Sequence, residues 1–310
     1  MSYIKKKIPN SILIFGAGNH IGKPMAKFIE KNAPQIKLRL VSSREEGIEP
    51  LRQEFPNAEI VQANYLDLPS MEAAVDGMEG IYMSVPNHLP FLPVTNNFVA
   101  AVKKSGTAIH IVRQVAMVPG YNYRLMPEAM KKMMGDEYPD LVTKRIYEEN
   151  DLPTTFLNFG ASFMDNFTTR AGRAIKEDKL LIWPPRKVPY IDANEIAEVA
   201  AQLLLSDNQG HIGQLHTLNN GQDNLRGHEV ADIMSDVLGT NIDYVGNKEE
   251  FVKEYTRIFG PAAPMIWGFF EFEATYEEGW VLSDFVERMI GRKPKSLRTW
   301  LAENRDALMS

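Results

Sequence analysis

The chain has 310 residues, of which 44% are hydrophobic and 24% charged. That is ordinary globular composition; it excludes a collagen-like or disordered protein and allows one or two domains. Cysteine is absent and the formal net charge is −6, which removes disulfide scaffolds, cysteine-ligated zinc, iron–sulfur clusters and thiolate chemistry, and offers no basic footprint for nucleic acid.

Lys5, Lys6 and Lys7 precede an apolar stretch, Ser11–Phe15, that imitates a signal peptide. Five apolar residues fall short of the roughly 7–15 an h-region needs, and no run approaches the ~18 of a membrane span. A cytoplasmic protein with no membrane partner is expected. Ser11–Phe15 reads instead as a first strand, ended by Gly16, and Pro24, Met25, Phe28 and Ile29 recur at helical spacing in Lys23–Asn32. Strand signals follow at Ile36–Val41, Glu59–Gln62, Gly80–Val85, Thr107–Val112 and Thr154–Phe159. Helical pieces lie between them at Leu51–Phe55, Ser70–Asp76 and Val94–Lys104. Short apolar strands alternating with helices imply right-handed crossovers and a doubly wound parallel sheet covered on both faces.

Past residue 160 the rhythm loosens. Glu195–Leu205 is a clear helix, with Ile196, Val199, Ala200, Leu203 and Leu204 on one stripe and Asp192 and Glu195 spaced as a capping box. Gln214–Leu218 and Asn241–Val245 are strand candidates around the helix Gly227–Leu238. Ser283–Ile290 is a helix stopped by Gly291 and Pro294, and Ser296 caps a last helix carrying Leu297, Trp300, Leu301 and Leu308. The expected fold is therefore α/β: a doubly wound sheet domain over 1–160, and a smaller α/β substrate or partner lobe over 161–310. The boundary is soft, and the chain is expected to cross back.

The sharpest local signal is Gly16-Ala17-Gly18-Asn19-His20-Ile21-Gly22, between the first strand and the first helix. Glycines let the backbone turn tightly and approach a pyrophosphate, and the helix start then offers free N–H groups and a positive dipole end. Ile21 stands where the strict G-x-G-x-x-G pattern has its third glycine, and Gly22 comes one later. The end of the second strand discriminates between cofactors. An NAD site places Asp or Glu there for the ribose 2′-hydroxyl; this chain has Ser42-Ser43-Arg44, which suits a 2′-phosphate. NADP(H) is favoured over NAD(H), the alternative being that Arg44 is a solvated charge beside Glu45 and Glu46.

Several stretches resemble the NmrA-like, atypical short-chain dehydrogenase/reductase family. They are the glycine turn, Val61-Gln62-Ala63-Asn64-Tyr65-Leu66-Asp67, Gly77–Pro86, Phe156–Phe167, Val188–Ala200 and Gly291–Leu308. The resemblance implies a Rossmann domain binding NADP(H), with phosphate contacts at Gly16, Gly18, Asn19, His20, Ile21 and Gly22. It places the 2′-phosphate at Arg44, beside Ser43, an adenine side at Asn64 and Tyr65, and a ribose side at Ser84, Val85 and Pro86. The chain departs from the family pattern at Asn19, where a second glycine is usual, and at Asn64, where aspartate often stands. It departs again at Val115 and Ala116, where a serine pair commonly follows the fifth strand.

The Tyr-x-x-x-Lys dyad of standard short-chain dehydrogenases is not found where it would be expected: Tyr138 is followed four residues on by Val142 and Tyr147 by Asp151, and the spacing Tyr3 to Lys7 lies upstream of the first strand. By resemblance, Lys144 falls on the lysine that several reductases of this family carry before the sixth strand. Such a lysine can bind the nicotinamide ribose or move a proton, with Tyr147 one helical turn on as a second donor. The alternative is an exposed helix face with Lys144 paired to Glu148. The six histidines lack metal-ligand spacing, so no metal is expected. His88, in the loop after the fourth strand, is a substrate-contact candidate, and His110 reads as structural. Asn158, Gly160 and Phe163 are expected on the nicotinamide side. Two apolar clusters read first as core and second as pocket walls. One is Met126, Met130, Met133 and Met134; the other runs from Phe259 through Trp267 to Trp280.

Two functions follow. One is an NADP(H)-dependent reductase passing hydride to a small apolar carbonyl, enone or quinone-like molecule. The other is a non-enzymatic NADP(H)-binding redox sensor acting through protein contacts, as a homodimer or with another protein. A sugar-nucleotide epimerase ranks last, because that chemistry relies on the absent dyad.

Overall fold

Six short apolar strands and a seventh that returns late in the chain make one parallel sheet. In the computed structural model, which describes residues 3–86, 88–120, 122–128, 131–132 and 137–310, β1 (Ser11–Phe15), β2 (Lys37–Ser42), β3 (Glu59–Gln62), β4 (Gly80–Met83), β5 (His110–Val115) and β6 (Thr154–Asn158) come first. β7 (Ser162–Phe163), β8 (Leu180–Ile182) and β9 (Val188–Ile191) leave the sheet, and β10 (Leu215–Thr217) rejoins it beside β6. The order is β3-β2-β1-β4-β5-β6-β10, every neighbouring pair parallel. The register sets Ile12 opposite Leu38 and Gly80, and Ile14 opposite Leu40 and Tyr82. Central strands covered on both faces need apolar residues at successive positions, which is why β1 and β4 are buried almost throughout. The order reverses between β1 and β4, and in open α/β sheets ligands bind beyond the carboxyl ends of the strands at that reversal.

Among the helices that connect these strands are α1 (Gly22–Asn32), α2 (Ile48–Glu54), α3 (Leu68–Val75), α4 (Phe91–Ser105), α5 (Pro139–Glu149) and α6 (Ala193–Leu205). α1 buries Met25, Ala26 and Ile29 on one face, following the periodicity read from the sequence. α3 starts where Asp67 accepts the Ser70 N–H at 3.1 Å, with Pro69 in its first turn. An aromatic chain lines the core beneath: Phe15 against Tyr65 (5.5 Å) and Phe98 (6.2 Å), Phe98 stacked on Tyr147 (5.5 Å), and Tyr147 against Phe156 (6.0 Å).

The chain divides into two compact units that alternate along it. The first holds Met1–Ala116, Pro139–Asn158 and Asn194–Thr217; the second holds Met117–Tyr138, Phe159–Ala193 and Leu218–Ser310. The expected boundary near 160 sits at one of the crossings, while residues 117–138 and 194–217 lie on the other side of it. The late segment goes to the first unit because β10 pairs with β6, a contact that sequence order alone does not announce.

The second unit has two small sheets, β7-β9-β11 and β8-β12, with β11 at Asn224–Leu225 and β12 at Asp243–Val245. Around them pack α7 (Gly227–Leu238), α8 (Lys248–Phe259), α9 (Ala263–Ala274), α10 (Phe285–Ile290), α11 (Leu297–Glu303) and α12 (Arg305–Met309). Its core gathers Phe167, Trp183, Tyr190, Phe251, Tyr255, Trp267 and Trp300. On α8, Phe251, Tyr255 and Phe259 stack at i, i+4 spacing, with ring centroids 4.3 and 5.9 Å apart. The segment read first as core and second as a pocket wall is mostly helix: Gly260 and Pro261 form a single turn, and Pro264 stands in the first turn of α9, where its missing N–H costs nothing.

Candidate dinucleotide-binding site

The glycine turn sits at the sheet's reversal point. Gly16 has φ +71°, a left-handed conformation that glycine adopts without strain. A Cβ on Gly22 would lie 2.2 Å from the Gly16 carbonyl oxygen, so only glycine lets α1 start this close to the turn. A Cβ on Gly18 would meet nothing within 4 Å, leaving the open approach that a phosphate needs. Asn19, exposed and without precedent in the usual glycine pattern, caps α1. Its Oδ1 accepts the N–H groups of Ile21 (2.9 Å) and Gly22 (2.7 Å), and its own carbonyl accepts from Lys23 (3.1 Å). Ile21 is buried, at 1% exposure, and its backbone N–H is the one given to Asn19 Oδ1.

A pocket of about 540 Å³ opens beside this turn, within the range of nucleotide and cofactor sites. Gly16, Gly18, Asn19, Ser43, Arg44, Tyr65, Ser84, Val85 and Pro86, all singled out from the sequence, line it together. Each comes from the carboxyl end of a strand: β1 feeds the glycine turn, β2 feeds Ser42–Arg44, β3 feeds Tyr65, and β4 feeds Ser84–Pro86. Ser42 spends its hydroxyl on the local turn, donating to the Arg44 carbonyl at 2.6 Å. Ser43 and Arg44 are exposed. The Arg44 guanidinium makes no ion pair with Glu45, Glu46 or any other described residue. Tyr65 is 3% exposed and donates to the Ser84 carbonyl at 3.0 Å, tying the β3 and β4 walls together; burial pushes its phenol pKa up.

Lys23 and Glu54 were missed from the sequence and also line the pocket. The Lys23 ammonium stands 2.5 Å from one Glu54 oxygen and Lys27 stands 2.6 Å from the other. The hydrogen bond from Lys23, then that from Lys27, holds the Glu54 carboxyl below its usual range. The only signal for Lys23 was its place directly after the third glycine. Glu54 had none, since nothing local says that α2 packs its last turn against α1.

Other expected residues lie elsewhere. Asn64 is exposed and turns its Oδ1 to the Leu66 N–H (3.0 Å), and His20 and His88 are exposed beyond the pocket lining. Lys144, on α5, is ion-paired with Glu148, the alternative considered above, and its Nζ lies 5.5 Å from the Phe156 ring centroid. Tyr147 is 1% exposed within the aromatic core, and burial raises its phenol pKa. Three residues along a helix share a face, but here that face turns inward at Tyr147 because Phe98 and Phe156 need a ring between them. Asn158 is buried at the end of β6 and donates to Thr217 at 3.2 Å.

Gly160, Phe163 and Trp267 belong to the second unit. Gly160 must lack a side chain because a Cβ would lie 2.0 Å from the Trp280 ring. Phe163 packs edge-on against Phe159 at 5.7 Å. Trp267 is 4% exposed in the second core. Met126 is buried, while Met130, Met133 and Met134 lie outside the described residues. Among the described residues no group of three or more His, Cys, Asp or Glu could hold a metal ion, and no helix is long and apolar enough to cross a membrane.

A parallel sheet with this strand order, a glycine turn at its reversal point and a ligand-sized pocket at the strand ends define a Rossmann-type nucleotide-binding protein. Residues 9–302 match the NmrA-like family, and the chain belongs to it. It is 24% identical over 299 residues, 94% of each chain, to the uncharacterized oxidoreductase YesF of Bacillus subtilis. Its fold is shared with Citrobacter sp. triphenylmethane reductase complexed with NADP(H), with TM-score 0.77, 20% identity, and 95% and 99% of the two chains covered. It is shared also with the NADPH-dependent quinone oxidoreductase QOR2 of Escherichia coli, with TM-score 0.75, 17% identity, and 96% and 99% covered.

Proposed function

We propose that this chain is an NADP(H)-dependent reductase acting on a small, largely apolar carbonyl, enone or quinone-like substrate. The observation that carries this reading is the Arg44 guanidinium, which pairs with no described residue and stands beside Ser43 on the wall of the pocket that also holds the glycine turn. A guanidinium fork pairs with phosphate oxygens in fixed geometry, and a β2 end without Asp or Glu lacks the usual acceptor for an unphosphorylated ribose. Gly18, open on its Cα side, and the Gly16–Gly22 backbone suit the pyrophosphate, with Tyr65 and Ser84–Pro86 forming the wall from adenine to ribose. When bound, the nicotinamide supplies hydride chemistry. The names of YesF, triphenylmethane reductase and QOR2 agree with reductase activity. Lys144 is the candidate proton source. It stands on α5 with Glu148 as its ion-pair partner.

The test is twofold. NADPH and NADH are titrated into the wild-type chain and Arg44→Ala, and NADPH oxidation is followed across quinones, enones and aldehydes. Arg44→Ala is expected to weaken NADPH by about 10–100-fold while moving NADH by less than about twofold. Equal losses sink the 2′-phosphate assignment. Tight NADPH binding with no oxidation across the panel favours the second reading, a redox sensor acting through protein contacts. One observation supports that reading: of the two expected proton donors, Tyr147 is buried and Lys144 is committed to Glu148.

A further inference from the structure

Two lysines and one carboxylate beside the pocket form a separable arrangement. Lys23 and Lys27 stand one turn apart on the same face of α1, and each takes one oxygen of Glu54 on α2, at 2.5 and 2.6 Å. Lys23 and Glu54 line the same pocket as Ser43 and Arg44. The Lys23 side chain is 42% exposed and that of Glu54 27%, so the ammonium can turn from its partner without leaving a buried charge behind. Glu54, for its part, is not stranded when Lys23 moves, because Lys27 still holds it.

We propose that Lys23 is a second ligand of the 2′-phosphate, held in reserve by Glu54 and released to the phosphate while Lys27 keeps the carboxylate neutralised. The inference rests on the NADP(H) reading and adds to it a specificity residue and its control. Arg44, Lys23, Lys27 and Glu54 sum to a charge of +2 along this wall, which matches a phosphate that is nearly dianionic near neutral pH. An unphosphorylated ribose has no use for the released ammonium, so the arrangement discriminates between the two dinucleotides without affecting the pyrophosphate or adenine. Glu54 also raises the threshold for anions: a phosphate has to outcompete a carboxylate for Lys23, which weaker anions do poorly. Lys27 acts through Glu54 and is a positioning residue.

The experiment measures the dissociation constants of NADPH and NADH for the full-length wild type and for Lys23→Gln, Lys23→Arg, Glu54→Gln and Lys27→Gln. Lys23→Gln is expected to lower the NADPH-over-NADH preference about tenfold, Lys23→Arg to retain most of it, and Glu54→Gln to raise it several-fold. Lys27→Gln should lower it, since Glu54 then keeps Lys23, and adding Glu54→Gln to Lys27→Gln should restore it; a merely structural ion pair would show no such reversal. NADH binding reports that each variant is folded. A wild type that prefers NADPH, combined with an unchanged preference in Lys23→Gln or a lowered one in Glu54→Gln, overturns this inference and leaves the NADP(H) reading standing. A wild type that binds NADPH no better than NADH overturns both.

Discussion

Asn19 does by itself what a bound phosphate would otherwise do. Its Oδ1 occupies the N–H groups of Ile21 and Gly22, two of the donors at the helix start that an anion would seek. Removing an asparagine N-cap costs about 1 kcal/mol, so Asn19→Ala should lower stability by that much in urea unfolding without ligand. With saturating NADPH the gap should narrow, because phosphate oxygens take over the amides that Asn19 no longer occupies. A gap of the same size with and without NADPH would show that the cofactor does not use them. Asn19 breaks the glycine pattern in the sequence, and its two side-chain contacts to the helix start are the reason that residue type serves there.

Trp267 shows how a helix can change the meaning of a residue. In a string containing Gly260, Pro261 and Pro264 it reads as part of an aromatic wall. On α9, where Pro264 only marks the helix start, it lies against Phe251 at 5.3 Å and is 4% exposed. Trp267→Ala should therefore cost about 3–5 kcal/mol of stability while leaving the NADPH dissociation constant in place. A loss of turnover with little loss of stability would return Trp267 to the substrate site. Gly160 has the same lesson in reverse: its glycine is explained by the Trp280 ring pressed against it, with no ligand required.

His110 links the whole chain's stability to pH. It is fully buried at the start of β5, and its Nε2 lies 2.9 Å from Thr155 Oγ1. That hydroxyl donates to the His211 carbonyl at 2.7 Å, which assigns the imidazole as the neutral Nε2–H donor. Burial first, then the nearby Lys6 and His211, lowers its pKa to about 3. The unfolded chain binds a proton near pH 6.5 that the folded one refuses. The stability is present in full above that pH and is lost as pH falls from 6.5 toward 3, at up to about 1.4 kcal/mol per unit. Unfolding free energies at pH 6.5 and 5 should fall more steeply for wild type than for His110→Gln, by about 1 kcal/mol per pH unit. Parallel slopes would assign the acid sensitivity elsewhere.

The first six strands and the glycine turn were legible in the residues because each depends on local chemistry. A covered parallel strand needs a short apolar run, and a tight turn into a helix needs glycine at particular positions. Arg44 was legible for the same reason, being set by its place at the end of β2. What only the tertiary structure decided are the contacts across chain distance. β10 joins β6, so residues 194–217 belong to the first unit. Tyr147 fills a gap between Phe98 and Phe156. Glu54 meets Lys23 across two helices. No periodicity records such meetings, because packing chooses partners by shape and charge after the strands and helices have formed.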